Sequence, residues 1–235
     1  MLSSLRAIAF DLDDTLWPCM PTIRRAERAT YEWLRAHYPR ITDALGEQGL
    51  FDYRKAFMDR HPDYRIDLSL MRREMLAELA REYGYDPEPL SREGFELFLK
   101  MRHEVEFYDD VFPVLRQLKG RYRLGSISNG NASAARTPLR DYFDHQVNAA
   151  DVMARKPDRR IFEAFCEGLD LPLEQCLLVG DDPEYDIRGA RQAGMPAIWI
   201  NREGREWPLP EPEPLAITSL YDLTQLLGMT RSSSA

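Results

Sequence analysis

Five residues, Asp11-Leu12-Asp13-Asp14-Thr15, directly follow the apolar run RAIAF at 6–10. That run reads as a buried strand halted by Asp11. Residues i and i+2 of a strand point to one side, so Asp11 and Asp13 address the same cleft while Leu12 faces elsewhere. Two neighbouring carboxylates suit one nucleophile and one general acid/base. The same pentad also suits an Asx-rich turn that caps a helix. Three further groups stand where other apolar runs stop. Ser128-Asn129-Gly130 follows YRLGSI and offers a hydroxyl, an amide and a glycine N–H, a turn able to cradle phosphate and also a common turn in its own right. Lys156, in RKPD, precedes a helical pattern; alone, such a lysine is ordinarily solvated surface. Gly180-Asp181-Asp182 follows CLLV, with Asp186 five residues after Asp181.

Brought to one edge of a sheet, Asp11, Asp13, Asp14, Asp181, Asp182 and Asp186 repel one another unless some turn away or a cation joins them. A donor set of oxygens alone selects a hard ion. A site shared with a phosphate and waters suits Mg2+ better than an all-protein calcium cage.

The elements that must hold these groups alternate. Strands are expected at 6–10, 122–127, 146–149, 176–179 and 197–200, and helices near 110–119, 132–140, 158–169 and 184–194, the third opening near Pro157. This alternation predicts an α/β fold, a doubly wound parallel sheet covered on both faces, with every motif at its carboxyl edge. More than a hundred residues separate the first strand from the second, and their periodicity is helical. Leu68, Met71, Met75, Leu76, Leu79, Ala80 and Tyr83 recur at steps of three and four, and 21–37, 49–59 and 89–103 behave alike. An inserted helical bundle is implied, its Met and aromatic positions read as core packing. The prolines of WPLPEPEP at 207–214 predict an extended connector, followed by a short helix near 218–227 and a frayed tail, RSSSA.

Composition narrows the class. Of 235 residues 44% are hydrophobic and 30% charged, the balance of a globular chain. No apolar run exceeds four residues, against roughly 20 for a membrane span, and the start has no secretory segment. Three cysteines without a CxxC and four histidines without an HxxxH indicate neither a disulfide framework nor zinc, which suits the cytoplasm. The formal charge, 31 − 39 = −8, disfavours nucleic acid as a partner.

The ordered set DLDDT, SNG, RKPD and GDDPEYD resembles the four motifs of the haloacid dehalogenase-like hydrolases across essentially the whole chain. The resemblance implies that Asp11 attacks phosphorus, and that Asp13 protonates the leaving oxygen and then activates water. It implies that Ser128, Asn129, Gly130 and Lys156 hold the phosphoryl group, with Thr15 in support. Mg2+ would be bound by Asp11, by Asp181, by the main-chain carbonyl of Asp13, and by Asp186 through water. Asp182 stands where the family often has serine. The dehalogenases proper lack an Asp at the position of Asp13, since a departing halide needs no proton, so a phosphatase is implied. The core is then 1–16 with 107–235, and 17–106 resembles a helical C1 cap. FDLDDTLWPCMPTIRRAERATYEWL, ISNGNA and GDDPEYDIRGARQAGMPAIWI resemble the bacterial branch acting on 5-amino-6-(5-phospho-D-ribitylamino)uracil and FMN. Sister activities on phosphoglycolate, nucleotide 5′-monophosphates or sugar phosphates keep the same catalytic set, and a non-catalytic phosphate-binding protein is the alternative of another class. The expected partner is a small-molecule phosphate ester, with no membrane or nucleic acid, and the chain is expected to be a monomer or weak homodimer. Trp17, Tyr31 and Arg24 are candidate contacts for the leaving group, Trp17 equally a packing residue.

Overall fold

A computed structural model describes residues 4–229. Its strands are β1 (Ala7–Phe10), β2 (Arg123–Ser128), β3 (His145–Asn148), β4 (Cys176–Gly180), β5 (Ala197–Ile200) and β6 (Ala216–Ile217). They form one sheet in the order β3-β2-β1-β4-β5-β6, parallel throughout. The chain runs outward from β1 to β2 and β3, then returns past β1 to build β4, β5 and β6. The winding reverses at β1, and the crevice of such a sheet opens beyond the carboxyl ends at that reversal. All four residues of β1 are buried, as a strand covered on both faces requires.

The described chain divides into two units, one comprising the residues up to Pro18 with those from Glu106 onward, the other Cys19–Val105. In the first, Ala7, Ala9, Ile127 and Leu178 of the sheet pack with Phe162 and Phe165. Each large side chain so buried contributes on the order of 1.5–3 kcal/mol. Those phenylalanines belong to α7 (Arg159–Glu167), which follows α5 (Val111–Leu118) and α6 (Ala149–Val152) and precedes α8 (Gly189–Ala193) and α9 (Leu220–Leu226). The second unit holds α1 (Cys19–His37), α2 (Pro39–Arg60), α3 (Leu68–Glu82) and α4 (Pro87–Arg102). Leu34, Ile41, Phe57, Met71, Met75, Leu79, Leu90 and Phe95 make its core, so the methionine stripe packs against neighbouring helices. Asp67 and Asp86 cap α3 and α4 by accepting from amides of the first turn.

Several elements depart from expectation for local reasons. No helix spans 132–140; two short 3-10 turns, Ala134–Arg136 and Pro138–Asp141, occupy it. Pro138 forces Thr137 into extended backbone, φ −125° and ψ 171°, and the turn cannot continue through it. Pro157 lies outside α7, whose N-cap is Asp158, accepting from the Arg160 amide at 3.0 Å. The pattern at 184–194 splits into a π-helix, Pro183–Arg188, and α8. α2 begins ten residues before its apolar pattern and kinks at Gly46, whose φ of 64° is open to glycine without strain. The two-residue β6 carries no readable periodicity, and it pairs at the sheet edge through the Trp199 amide to Leu215 O and the Asn201 amide to Ile217 O. The RSSSA tail lies outside the described residues. Among those residues no helix is long and apolar enough to cross a membrane.

Candidate active site

Asp11 continues β1, its amide donating to Val179 O of β4 at 2.9 Å. Phe10 stands opposite both Ser126 and Val179, so the residues that follow β1, β2 and β4 emerge side by side. Asp11 is 7% exposed, Lys156 2% and Asp186 1%. The Lys156 ammonium donates to Asp11 Oδ1 at 2.6 Å, to Ile127 O at 2.9 Å and to Asp186 Oδ1 at 2.5 Å. A lone loop lysine is thus drawn into the centre of the site, and the tertiary fold alone accounts for it.

Asn129 explains how that lysine is aimed. Its side chain accepts from the Lys156 amide at 2.7 Å and donates to the Lys156 carbonyl at 3.0 Å, clamping the backbone on both sides. This gives Asn129 a positioning role toward Lys156, with one N–H of its amide still free to donate. Ser128 Oγ, buried, accepts from the Gly130 amide at 3.0 Å, which leaves its own proton to donate. Gly130 is half-buried, its amide engaged there.

Asp186 needs a gap opposite it, and Gly180 provides one: a Cβ at Gly180 would lie 2.4 Å from the Asp186 carboxylate. Asp186 Oδ2 also accepts from the Asp182 amide at 3.0 Å. Asp182 turns away from the cluster; its Oδ1 accepts from the Glu184 and Tyr185 amides at 2.8 Å and caps the π-helix, which gives this residue a structural role. Asp14 is exposed, with a left-handed φ of 57°. The six acids therefore sort, and Asp11, Asp181 and Asp186 bring carboxylate oxygens within 4.8 Å of one another.

Their electrostatics follow from that sorting. Burial holds the Asp11 carboxyl well above the usual range; Lys156 acts downward, and Asp186 and Asp181 act upward. Burial also pushes Asp181 up, to about 7, with Asp186 and Asp14 adding to it and Arg205 opposing. Burial acts to lower Lys156, but the charges of Asp11 and Asp186 outweigh it, and its pKa is raised. With all three acids ionised, three carboxylates against one ammonium leave 3 − 1 = 2 negative charges in excess. An oxygen-only donor set carrying that excess fits a hard divalent cation.

Asp13 is half-buried, and its Oδ1 accepts from Trp17 Nε1 at 2.9 Å. Its carboxylate stands outside the three-acid group. Trp17 is fully buried, edge-on to Phe107 with ring centroids 5.3 Å apart, so it orients Asp13 and is no exposed platform for a heterocycle. Thr15 Oγ1 is buried without a hydrogen-bond partner among the described residues. Tyr31 and Arg24 line a cavity within the helical unit.

Sequence reasoning missed the segment after β5. Arg202 donates from Nε and Nη2 to Thr15 O at 3.2 and 2.9 Å and grips Asp110 with both terminal nitrogens, at 2.9 and 3.1 Å, tying down the loop that carries Asp11 and Asp13. Burial opposes ionisation of Asp110, yet Arg202, the Leu220 amide and Ser219 hold its carboxyl below the usual range. Arg205 Nη2 and Trp199 Nε1 both donate to Asp181 O, at 2.9 Å. The one available signal was position: NREGR follows a parallel strand, as the other motifs do.

A profile of the haloacid dehalogenase-like hydrolases matches residues 5–194. The chain is 29% identical to the 5-amino-6-(5-phospho-D-ribitylamino)uracil phosphatase YigB of Escherichia coli, over 96% of this chain and 98% of that protein. It is 29% identical to the N-acylneuraminate-9-phosphatase of Mus musculus, over 96% and 95% respectively. Among solved structures, a 2-haloacid dehalogenase from Pseudomonas syringae pv. Tomato DC3000 superposes with a TM-score of 0.88 at 36% identity, covering 95% of this chain and 98% of that one.

Proposed function

The chain belongs to the haloacid dehalogenase-like hydrolases, and from that premise we propose that it is an Mg2+-dependent phosphomonoester hydrolase working through an aspartyl-phosphate on Asp11. The observation that carries this reading is the group of Asp11, Asp181 and Asp186, two of them, Asp11 and Asp186, buried and paired with Lys156. Lys156 fixes Asp11 through Oδ1, and the other carboxylate oxygen attacks phosphorus. The Asp11 O–P bond forms as the ester P–O bond breaks, and Asp13 gives its proton to the departing oxygen. Water then attacks phosphorus and loses a proton to Asp13, and the Asp11 O–P bond breaks to release inorganic phosphate. Ser128 donates its hydroxyl proton to a phosphoryl oxygen, and Lys156 supplies positive charge there. Asn129 acts through Lys156 and is a positioning residue. Mg2+, held by Asp11 and Asp181 with Asp186 and the Asp13 carbonyl, supplies charge neutralisation when bound.

The helical unit serves as a cap that admits substrate and limits water. Similarity to the riboflavin-pathway enzyme over nearly the whole chain supports 5-amino-6-(5-phospho-D-ribitylamino)uracil or FMN as substrate. Three cysteines with no disulfide among the described residues support a reducing, cytoplasmic setting, with the chain a monomer or weak homodimer. A second reading, carbon–halogen hydrolysis, is favoured by the likeness to the dehalogenase structure. Asp13 argues against it, because a proton donor assists an alkoxide and is idle when halide departs. The test measures phosphate release with Mg2+ from FMN, the ribitylamino-uracil phosphate, nucleotides, sugar phosphates and phosphoglycolate, beside halide release from 2-chloropropionate. Phosphate release is expected; halide release without it would overturn the reading.

A further inference from the structure

The helical unit contains a cavity of about 610 Å³, in the middle of the range for small-molecule sites, roughly 300–1,000 Å³. One face of α1 supplies Arg24, Glu27, Arg28, Tyr31 and Leu34, at helical steps of three and four. α2 adds Phe51 and Arg54, and α3 adds Arg72 and Leu76. Its charged lining is four arginines against Glu27 and Glu47, 4 − 2 = +2, in a chain of net charge −8.

The excess is larger where it matters. Glu27 is already taken by Arg54 at 2.5 Å and Arg72 at 3.4 Å. Glu47 is exposed and pairs with none of the four arginines. Arg24 and Arg28, also exposed, make no ion pair or hydrogen bond among the described residues. Arg72 is 6% exposed, its guanidinium 3.5 Å over the Phe98 ring. Burial pushes its pKa down to about 10; Glu27 acts upward, and Arg54 and Arg102 act downward. It remains a cation at neutral pH, crowded by two others and shared with one carboxylate. Guanidinium groups present a planar fork that matches an acid head, and Tyr31, Phe51, Leu34 and Leu76 offer apolar wall for the rest of a ligand.

We propose that this cavity is a binding site for a small organic anion with a flat or apolar body, its acid head on Arg24 and Arg28 and its body against Tyr31 and Phe51. The site is built wholly within the helical unit, and the proposal stands whether or not the phosphatase reading does, because its readout is binding.

The test titrates the full chain with 1-anilinonaphthalene-8-sulfonate and with neutral N-phenyl-1-naphthylamine, which keeps the rings and lacks the acid. Near-ultraviolet circular dichroism verifies packing in every sample. Saturable one-site binding of the sulfonate is expected, at least about tenfold tighter than the neutral probe. Arg24→Gln with Arg28→Gln should bring the two affinities within about twofold, whereas Arg35→Gln with Lys55→Gln, exposed and outside the cavity, should leave the preference intact. Equal affinities in the wild-type chain overturn the proposal without recourse to any variant. So does an unchanged preference after loss of Arg24 and Arg28, or an equal fall in the control pair.

Discussion

Asp181, half-buried beside Asp11 and Asp186, makes the stability of the metal-free protein depend on pH. Asp181 carries a pKa of about 7 in the fold, against an ordinary value of 3.8. The folded state therefore holds a proton that the unfolded chain releases between those values. The associated stability is complete below pH 3.8 and is lost as pH rises through 7. Across pH 5 to 7, at about 1.4 kcal/mol for each pH unit, the loss is on the order of 3 kcal/mol. For a chain of this size that corresponds to a fall of roughly 6–12 °C in Tm. Asp110 and Asp158, held below the usual carboxylate range, act in the opposite sense only at more acid pH, so they do not mask the slope. The assay is thermal unfolding in EDTA at pH 5, 6, 7 and 8, repeated with Mg2+ and with Asp181→Asn. The metal-free chain should lose stability steadily between pH 5 and 7. Mg2+ should restore it at pH 8 by binding the ionised folded state, and the Asn variant should lessen the slope by the Asp181 share while Asp11 keeps its own. A metal-free profile that is flat or rises from pH 5 to 8, matched by the variant, would refute the account of the cluster.

Asp11→Asn should abolish phosphate release with the circular dichroism spectrum unchanged, since the amide fills the same volume without forming the acyl phosphate; a tenth of wild-type activity in protein free of deamidation would exclude the covalent route. Asp13→Asn should cost about 10²–10⁴-fold on an alkyl phosphate and much less on an aryl phosphate, whose leaving group needs little protonation; equal losses would remove Asp13 as proton donor. Gly180→Ala drives a methyl to 2.4 Å from the Asp186 carboxylate and should destabilise by about 1–3 kcal/mol in urea unfolding while weakening Mg2+ affinity; wild-type values of both would show that Asp186 has room to move. Arg202→Lys keeps the charge and loses the fork on Asp110 and Thr15 O, so kcat should fall with about 1–3 kcal/mol of stability; unchanged kcat would separate this network from the catalytic loop.

Asp11 was readable because an apolar run ending in acids marks the carboxyl edge of a parallel sheet; Asp13 lies past the end of β1 in a turn, its carboxylate outside the three-acid group, so strand alternation does not account for its placement. The alternation of strands and helices, and the helical insertion, were readable from periodicity, which depends only on local backbone geometry. Lys156 was readable only through its family motif, since nothing in its neighbours distinguishes a buried ammonium from a solvated one. Its three donor contacts come from β1, β2 and the turn after β4, segments up to 145 residues away. The same limit hid Arg202 and Arg205, whose partners Thr15, Asp110 and Asp181 are remote in sequence. Packing also divided residues of identical type: Asp182 became a cap and Asp186 a buried member of the cluster, because four residues of π-helix turn them to different partners. Trp17 stands beside the catalytic pentad in sequence, yet burial against Phe107 makes it a support for Asp13. Local spacing can say which side chains share a face; which of them lose water, and so acquire strong electrostatic coupling, depends on what the rest of the chain folds over them.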